Sequence, residues 1–246
     1  SEMCIRDSAR GMGVDWYGAY DVRSGVEARR VLGDTGRIFA WATSTDDEVD
    51  EALRARIDLG VGSAEYLARI TALAARRGVR ARIHLKIDTG LHRNGLLPAE
   101  WERTIAEVRA GEAAGHLELV GIWSHLAEAS DDEDDEAQTL FLDAVRVAEQ
   151  SGATPEALHL TASAASWWRP ELRGSVSRIG AFCYGVRSAD GPDLAGVAPV
   201  AELTATVVDI VDGDAVVGIG AFDGIPSTLA GARVGTLAGA LSLIHI

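Results

Sequence analysis

Short apolar runs alternate with longer amphipathic stretches along this chain, and the alternation predicts its secondary structure. Runs of five to eight β-prone residues predict seven strands, at 16–20, 37–41, 58–62, 82–88, 119–126, 158–163 and 178–185. Strand and helix patterns follow one another at the spacing of βα units, which indicates a parallel sheet. Seven such units without a glycine-rich nucleotide turn favour an α/β fold, a (β/α)8 TIM barrel lacking its first strand.

Helix start signals stand between these runs. Thr45 or Asp46 precedes an amphipathic stretch, Ser63 precedes another, and Pro98 opens a third. The acidic run 130–136 stands where a further helix is expected to begin. There it favours a solvated first turn stabilised by the helix dipole over a metal site.

The pattern changes after Gly191. Residues 199–220 carry back-to-back β-branched runs around an Asp-Gly-Asp turn signal with no helix between them, which predicts the start of an all-β domain near residue 198. The two ends share neither the composition nor the periodicity of the rest. We therefore expect four segments: a non-native leader, a partial TIM barrel, the start of the C-terminal β domain and a non-native tail, at 1–8, 9–197, 198–240 and 241–246.

Composition and charge narrow the classes of function. Apolar residues make up 47% of the 246 residues, as in ordinary globular proteins. The net charge of -14 and the scattered arginines argue against nucleic acid and anionic membrane as partners. With only Cys4 and Cys183, the chain has no disulfide framework and fits a reducing, cytoplasmic compartment.

Lys86 is the only lysine in the chain, since the other 22 of the 23 basic residues are arginine. Strand alternation over 82–88 places His84, Lys86 and Asp88 on one face and the apolar Leu85 and Ile87 on the other. In a barrel the polar face points inward, so burial should lower the pKa of the lysine towards neutrality. A neutral amine can form an imine or a carbamate, which an arginine cannot. A lysine that snorkels at the rim is the competing interpretation.

Five further residues near the ends of predicted strands could bind a ligand. His125 could stack on a planar ring or act as an acid or base, or it could be a packed core histidine. Ser163 and the backbone around Gly180 and Ala181 could cradle an anion, as barrel loops often do, or serve only as turns. Arg178 could face a ligand ring or pair with an acid.

In sequence order these pieces resemble the alanine racemase family, enzymes that use pyridoxal phosphate on a (β/α)8 barrel followed by a β domain. The resemblance spans about residues 9 to 217. It rests on four motifs: HLKIDTGLHRNGL, GIWSHLAEASD, HLTASAAS and RIGAFCYGV, which begin at residues 84, 121, 159 and 178. The order of the four motifs at barrel-strand spacing is more specific than any one of them.

The resemblance implies a role for each candidate residue. Lys86, carbamylated in some members of the family, holds Arg93 towards the phenolic oxygen of the cofactor. His125 packs beside the pyridine ring, and Arg178 donates to the ring nitrogen without protonating it, which weakens the electron sink. Ser163 and the amides of Gly180 and Ala181 match the phosphate contacts. We therefore predict Lys86, Arg93 and His125 as catalytic residues, and no metal.

The resemblance also implies a homodimeric isomerase that interconverts L- and D-alanine through an aldimine and serves cell-wall synthesis. Racemisation needs a base on each face of the α-carbon. In the family these are an imine-forming lysine on the first strand and a tyrosine from the partner's β domain. We expect both to lie outside this chain, which would then be an almost inactive fragment. Lys86 lies on another strand, in another motif, and is not taken for the imine lysine.

Two alternatives share the cofactor and the barrel. One is a pyridoxal-phosphate carrier without turnover, which the β runs at 199–220 and the His92-Arg93 pair disfavour. The other is an aldolase or dehydratase acting on β-hydroxy amino acids, which usually needs a metal site. The chain departs from the family at Ala162, where asparagine is usual, and in residues 218–236. The identity of the amino-acid substrate therefore stays open.

Overall fold

The structure is a computed structural model. It describes residues 11, 13–186, 194–198, 206–211, 214–219, 222–226, 233–237 and 241–245. The chain divides into two compact units, Ser1–Gly180 and Ala181–Ile246. The predicted leader 1–8 lies outside the described residues, and the predicted domain boundary near residue 198 stays a prediction.

The first unit alternates strands and helices. Its strands are β1 Trp16–Ala19, β2 Arg37–Ala40, β3 Asp58–Val61, β4 Ala81–Lys86, β5 Leu117–Trp123 and β6 Ala157–His159. Its helices are α1 Val22–Leu32, α2 Asp46–Ala55, α3 Ala64–Arg77, α4 Pro98–Ala113, α5 Asp131–Gln150 and α6 Ser163–Trp168, followed by a 3-10 turn at Pro170–Leu172. Six of the seven predicted strands are therefore confirmed.

The six strands form one sheet in the order β1-β2-β3-β4-β5-β6, and each neighbouring pair is parallel. In a flat sheet β2 and β6 would lie about 19 Å apart, four steps of about 4.8 Å. Instead the rings of Phe39 on β2 and His159 on β6 have centroids only 5.2 Å apart, and Arg37 forms an ion pair with Glu156. The sheet is therefore curled into an incomplete TIM barrel, as predicted.

The helices begin at the predicted signals. Thr45 caps α2 and forms a capping box with Glu48, Ser63 caps α3, and Pro98 occupies the first turn of α4. The acidic run opens α5, whose cap is Ser130. Thr45, Ser63 and Ser130 each accept a backbone N–H group that a helix leaves unpaired at its start. Pro98 has no N–H group to leave unpaired, which suits the first turn of a helix.

Strand alternation divides the side chains between the two faces of the sheet. On β4, Leu85 and the following Ile87 are buried with the helices in the main apolar core. The other face carries aromatic and titratable groups: Phe39, His84, Lys86, Trp123 and His159, which we call the inner face. The barrel interior therefore holds the polar chemistry, and the helix-facing side holds the apolar core.

The second unit begins with a 3-10 helix at Ala181–Tyr184. Its strands are β7 Thr206–Val211, β8 Asp214–Ile219, β9 Phe222–Pro226, β10 Arg233–Leu237 and β11 Leu241–His245, in the sheet order β10-β11-β7-β8-β9. β7 and β8 pair antiparallel, with Val211 opposite Asp214. Residues 212 and 213 of the predicted turn lie outside the described residues. β11 coincides with the predicted tail 241–246.

The seventh predicted strand, 178–185, is wrong. Residues 176 to 178 run beside β6 and donate two separate backbone hydrogen bonds, from Val176 to Leu158 and from Arg178 to Thr161. They do not extend into a ladder, because Ala181–Tyr184 winds into a 3-10 helix. The apolar, aromatic composition of this run misled the prediction.

Within the described part of the chain, no helix combines the length and the apolar character that crossing a membrane requires.

Gly121 on β5 gives a test of the inner face. An alanine Cβ there would lie against Nδ1 of His84 and 2.7 Å from the carbonyl oxygen of Ala157. Backbone cannot move away cheaply, so Gly121→Ala should lower the free energy of unfolding by about 1 to 3 kcal/mol. Urea denaturation followed by circular dichroism measures the change.

Gly25→Ala in α1 is the matched control. The added Cβ would lie 3.0 Å from the terminal Cδ1 of Ile57 and no closer to any other atom, and alanine gains about 0.5–1 kcal/mol of helix stability over glycine. A Gly121→Ala protein as stable as the Gly25→Ala protein would contradict the packing described for the inner face.

Candidate active site

Lys86 ends β4 with its side chain on the inner face. It is only 4% exposed, and it lies opposite Trp123 in the parallel register of β4 and β5. Its Nζ lies 4.7 Å from the centroid of the Trp123 ring. Burial, followed by the charges of Arg93 and Arg178, lowers the pKa of Lys86 from 10.5 to about 8. The side chain of Lys86 therefore points into the barrel, and its pKa is lowered, as the sequence analysis predicted.

The guanidinium of Arg178 joins the segments that follow β5 and β6. Nη1 donates to the carbonyl oxygen of His159 at 2.7 Å, and Nη2 donates to those of Ser124 at 2.7 Å and Leu160 at 3.0 Å. Nη1 also lies 3.2 Å from Nδ1 of His159, and Nη2 lies 3.0 Å from Nδ1 of His125. Burial lowers the pKa of Arg178 to about 10, so it stays charged at neutral pH. It pairs with carbonyls and imidazoles rather than with the acid considered as an alternative.

His125 follows β5 and is half-buried. Burial, together with the positive charges of Arg178, Arg93 and Lys86, lowers its pKa from 6.5 to about 4. The imidazole is therefore neutral at physiological pH. Nη2 of Arg178 has two hydrogens for three acceptors within 3.0 Å, so one of its N–H groups is shared between acceptors. Because a guanidinium can only donate, the contact with Nδ1 of His125 assigns the proton of the neutral imidazole to Nε2.

The same reasoning fixes two more histidines. Nδ1 of His159 accepts from Arg178, so its Nε2–H donates to Nδ1 of His84 at 2.9 Å. His84 then carries its proton on Nε2, which lies 3.4 Å from Oδ2 of Asp58. Burial lowers the pKa of both imidazoles, so both are neutral. A row of hydrogen-bonded groups thus crosses the inner face, with each group donating to the next: Arg178 to His159, His159 to His84, and His84 to Asp58.

A cluster of opposite charges holds the acid at the end of this chain. Asp58 accepts from Nε of Arg82 at 2.8 Å and forms an ion pair with Arg37 at 3.5 Å. Arg82 also contacts Glu118 at 2.6 Å, and Arg37 stacks on Trp16 at 4.0 Å. These groups come from the amino ends of the strands, opposite the end that carries His125.

Two of the residues predicted to bind phosphate, Ser163 and Gly180, lie close together. Ser163 is buried at the first position of α6, and its Oγ accepts from the backbone N–H of Gly180 at 3.0 Å. The hydroxyl proton of Ser163 remains available for an anion. Ala181 is the first residue of the second unit, so its phosphate contact stays a prediction.

The loop after β4 carries Arg93 and is shaped by Asp88. Oδ1 of Asp88 accepts the backbone N–H groups of Gly90 and His92 at 3.1 Å, and Oδ2 lies 2.9 Å from the His92 imidazole. Asp88 therefore supports its own loop. Arg93 is exposed, and it forms no hydrogen bond or ion pair with the residues that the structure describes. Its charge still acts on Lys86 and His125.

Several residues of the site were not predicted. His159, Asp58, Trp123 and Phe39 all contact the inner-face network, yet only His84, Lys86 and Asp88 were assigned to this face. The signal was available in two cases, since Asp58 is a charged residue in an apolar strand and His159 ends another. Trp123 and Phe39 carry no such signal, because aromatic residues are common in strands of any kind.

The family model and two curated relatives that match this chain point to alanine racemases. The family model described as "Alanine racemase, N-terminal domain" matches residues 4–188. An alanine racemase of Thermobifida fusca is 36% identical over 200 residues, which are 80% of this chain and 53% of that protein. One of Beutenbergia cavernae is 34% identical over 194 residues, 76% of this chain and 51% of that protein. The chain thus spans about half the length of these relatives.

Solved structures agree with these relatives. The alanine racemase of a D-cycloserine-producing Streptomyces lavendulae superposes with a TM-score of 0.79 at 28% identity, covering 98% of this chain and 72% of that one. The alanine racemase of Corynebacterium glutamicum gives a TM-score of 0.71 at 27% identity, covering 94% and 69%. With its curled parallel sheet and the match over residues 4–188, the chain belongs to the alanine racemase family.

Proposed function

We propose that this chain holds pyridoxal phosphate at the carboxyl ends of β4 to β6 and serves the racemisation of alanine. The observation that carries the proposal is the position of Arg178, whose guanidinium joins the ends of β5 and β6 beside His125. Family membership extends the proposal to a cytoplasmic homodimer that acts on a small amino acid and supplies D-alanine for cell-wall synthesis.

The donors of Arg178 fit a pyridine nitrogen. Its Nη1 and Nη2 groups are engaged by carbonyls and imidazoles. Its Nε–H, by contrast, forms no hydrogen bond with any described residue and is left for a ligand. A guanidinium with a pKa of about 10 donates a hydrogen bond but does not give up its proton at neutral pH. A ring nitrogen held there would stay unprotonated.

The charges around the inner face fit an anionic ligand. Lys86, Arg93 and Arg178 each lower the pKa of His125 through their positive charge, although the whole chain carries a net charge of -14. Pyridoxal phosphate brings a phosphate and a phenolic oxygen, which would offset this local excess of positive charge. Arg93, exposed and without a fixed partner among the described residues, can turn towards such an oxygen.

The phosphate would bind at Ser163 and beside Gly180, whose N–H donates to the Ser163 Oγ. Ser163 offers a hydroxyl proton at the beginning of α6. The neutral His125 would lie beside the ring as an uncharged wall. When bound, the cofactor supplies the delocalisation that stabilises a carbanion at the α-carbon of the substrate. The residues of this chain bind and orient it, and we assign none of them a proton transfer at the substrate.

Binding of pyridoxal phosphate to the 246-residue chain tests the proposal. Arg178→Gln removes a charged donor and should weaken binding by about 10- to 100-fold, the effect of losing a hydrogen bond to a charged group. Arg146→Gln removes the same charge from an exposed pair on α5 and should leave binding unchanged. Isothermal titration calorimetry measures the dissociation constants, and circular dichroism checks that each variant is folded.

Ser163→Ala gives an independent result if Arg178→Gln fails to fold. Loss of the hydroxyl should weaken binding of pyridoxal phosphate about 10-fold and leave binding of pyridoxal, which lacks the phosphate, unchanged. The absence of any measurable binding to the folded chain would overturn the proposal. Equal losses for both ligands would remove the phosphate assignment.

The pH behaviour of His125 tests the electrostatics. We expect its imidazole to titrate near pH 4, and Arg178→Gln should raise this pKa towards 6.5, because a nearby positive charge is removed. Since the folded pKa is below the unfolded one, the free energy of unfolding should fall as the pH decreases from about 6.5 to about 4. NMR titration of the imidazole protons, assigned with His125→Gln, gives the values. An unchanged His125 pKa in Arg178→Gln would refute the coupling.

A further inference from the structure

The indole of Trp123 is held in place by one hydrogen bond and by two neighbouring rings. It is 6% exposed, and its Nε1–H donates to the carbonyl oxygen of His84 at 3.2 Å. One neighbour in the sheet, His159, stacks on it with ring planes 5° apart, and Phe39 meets it edge to face at 5.4 Å. The orientation of the indole is therefore set by the barrel and not by a ligand.

The strand register brings the amine to this ring. Lys86 and Trp123 are direct partners on β4 and β5, and Trp123 and His159 are direct partners on β5 and β6. Lys86 and His159 thus approach the indole from the strands on its two sides. The ammonium lies 4.7 Å from the ring centroid, and the guanidinium carbon of Arg178 lies 5.3 Å from it. Both distances are within the range of a cation–π interaction.

We propose that Trp123 is the positioning residue of Lys86, and that its indole face holds the side chain on the inner face as an ammonium ion. The proposal concerns the amine alone and stands whether or not the chain binds pyridoxal phosphate.

The charges that face Lys86 explain why such a residue is needed. Arg93 from the loop after β4 and Arg178 from the segment after β6 both repel an ammonium ion, while Asp88 attracts it. His125 and His159 are neutral there and add no charge at neutral pH. Asp88 is already occupied by its own loop. The negative face of the indole, 4.7 Å from the ammonium, adds an attraction that needs no counter-charge.

The consequence is a control of amine reactivity. A neutral amine can react with an electrophile such as carbon dioxide, and an ammonium ion cannot. By favouring the cation, the ring reduces the fraction of reactive amine at a given pH. Removing the ring face should lower the pKa of Lys86 below its value of about 8 and raise that fraction.

The lysine content of the chain makes the measurement direct. Because Lys86 is the only lysine, the pH dependence of its labelling by an amine-reactive reagent, read by peptide mass spectrometry, reports one side-chain pKa. Peptide mapping separates it from the N-terminal amine. The 246-residue chain is used throughout, without added ligand.

Trp123→Phe and Trp123→Leu form the matched pair. Both shrink the side chain to a similar volume and admit similar amounts of water, but only phenylalanine keeps an aromatic face. We expect the pKa of Lys86 to be lower in Trp123→Leu than in Trp123→Phe by roughly 0.4 to 1.5, the range of a cation–π interaction converted at 1.36 kcal/mol per pKa unit. Trp101→Phe, at a buried tryptophan bound to Ala144 on the helix side, should leave the pKa unchanged. Equal pKa values in the matched pair would overturn the proposal.

A second measurement applies if a variant at position 123 does not fold. The protein is produced by cells supplied with fluorotryptophans that carry increasing numbers of fluorine atoms. Incorporated in place of tryptophan, they weaken the negative ring face and nearly preserve the shape of the side chain. The pKa of Lys86 should fall stepwise with fluorine number, and the sole lysine reports only on the ring beside it. A constant pKa along the series would overturn the proposal as well.

Discussion

The buried guanidinium of Arg178 is the interaction on which the rest of the site depends. It donates to the carbonyl oxygens of Ser124, His159 and Leu160. These bonds hold the carboxyl ends of β5 and β6 together beyond the short ladder that pairs the two strands. Since a guanidinium has no acceptor, it also fixes the proton positions of His125, His159 and, through His159, His84. One side chain therefore sets both the geometry and the protonation of the inner face.

The site combines two opposite electrostatic environments. At the amino ends of the strands, Asp58 lies between Arg37 and Arg82, which also pair with Glu156 and Glu118, so every cation there has an acid partner. At the carboxyl ends, Lys86, Arg93 and Arg178 leave an excess of positive charge that lowers the pKa of His125 and of Lys86 itself. The paired charges at the amino ends support the sheet, and the excess positive charge at the carboxyl ends attracts anions. This matches the division between stability and chemistry that is general for the two ends of this fold.

Local signals predicted more of the fold than of the site. Period-two alternation and cap residues such as Thr45, Ser63 and Ser130 are local, so six strands and the starts of the helices could be read from the chain. The run at 178–185 could not, because only tertiary contacts decide between a strand and the 3-10 turn at Ala181–Tyr184. Trp123 and Phe39 escaped for a similar reason: their role comes from which strands face each other after the sheet curls, and no short window of sequence contains that information.

The sheet order has a consequence for how the molecule is made. In the first unit the spatial order of the strands equals their order along the chain, so every βα unit can dock onto one that has already been synthesised. Contacts between such neighbours close short loops and form quickly, and domains can begin to fold from the amino end during translation. The ion pair between Arg37 and Glu156 is different, because it must wait for the last strand. Contacts that curl the sheet join residues far apart in the sequence, so we expect them to form more slowly than the pairing of neighbouring strands.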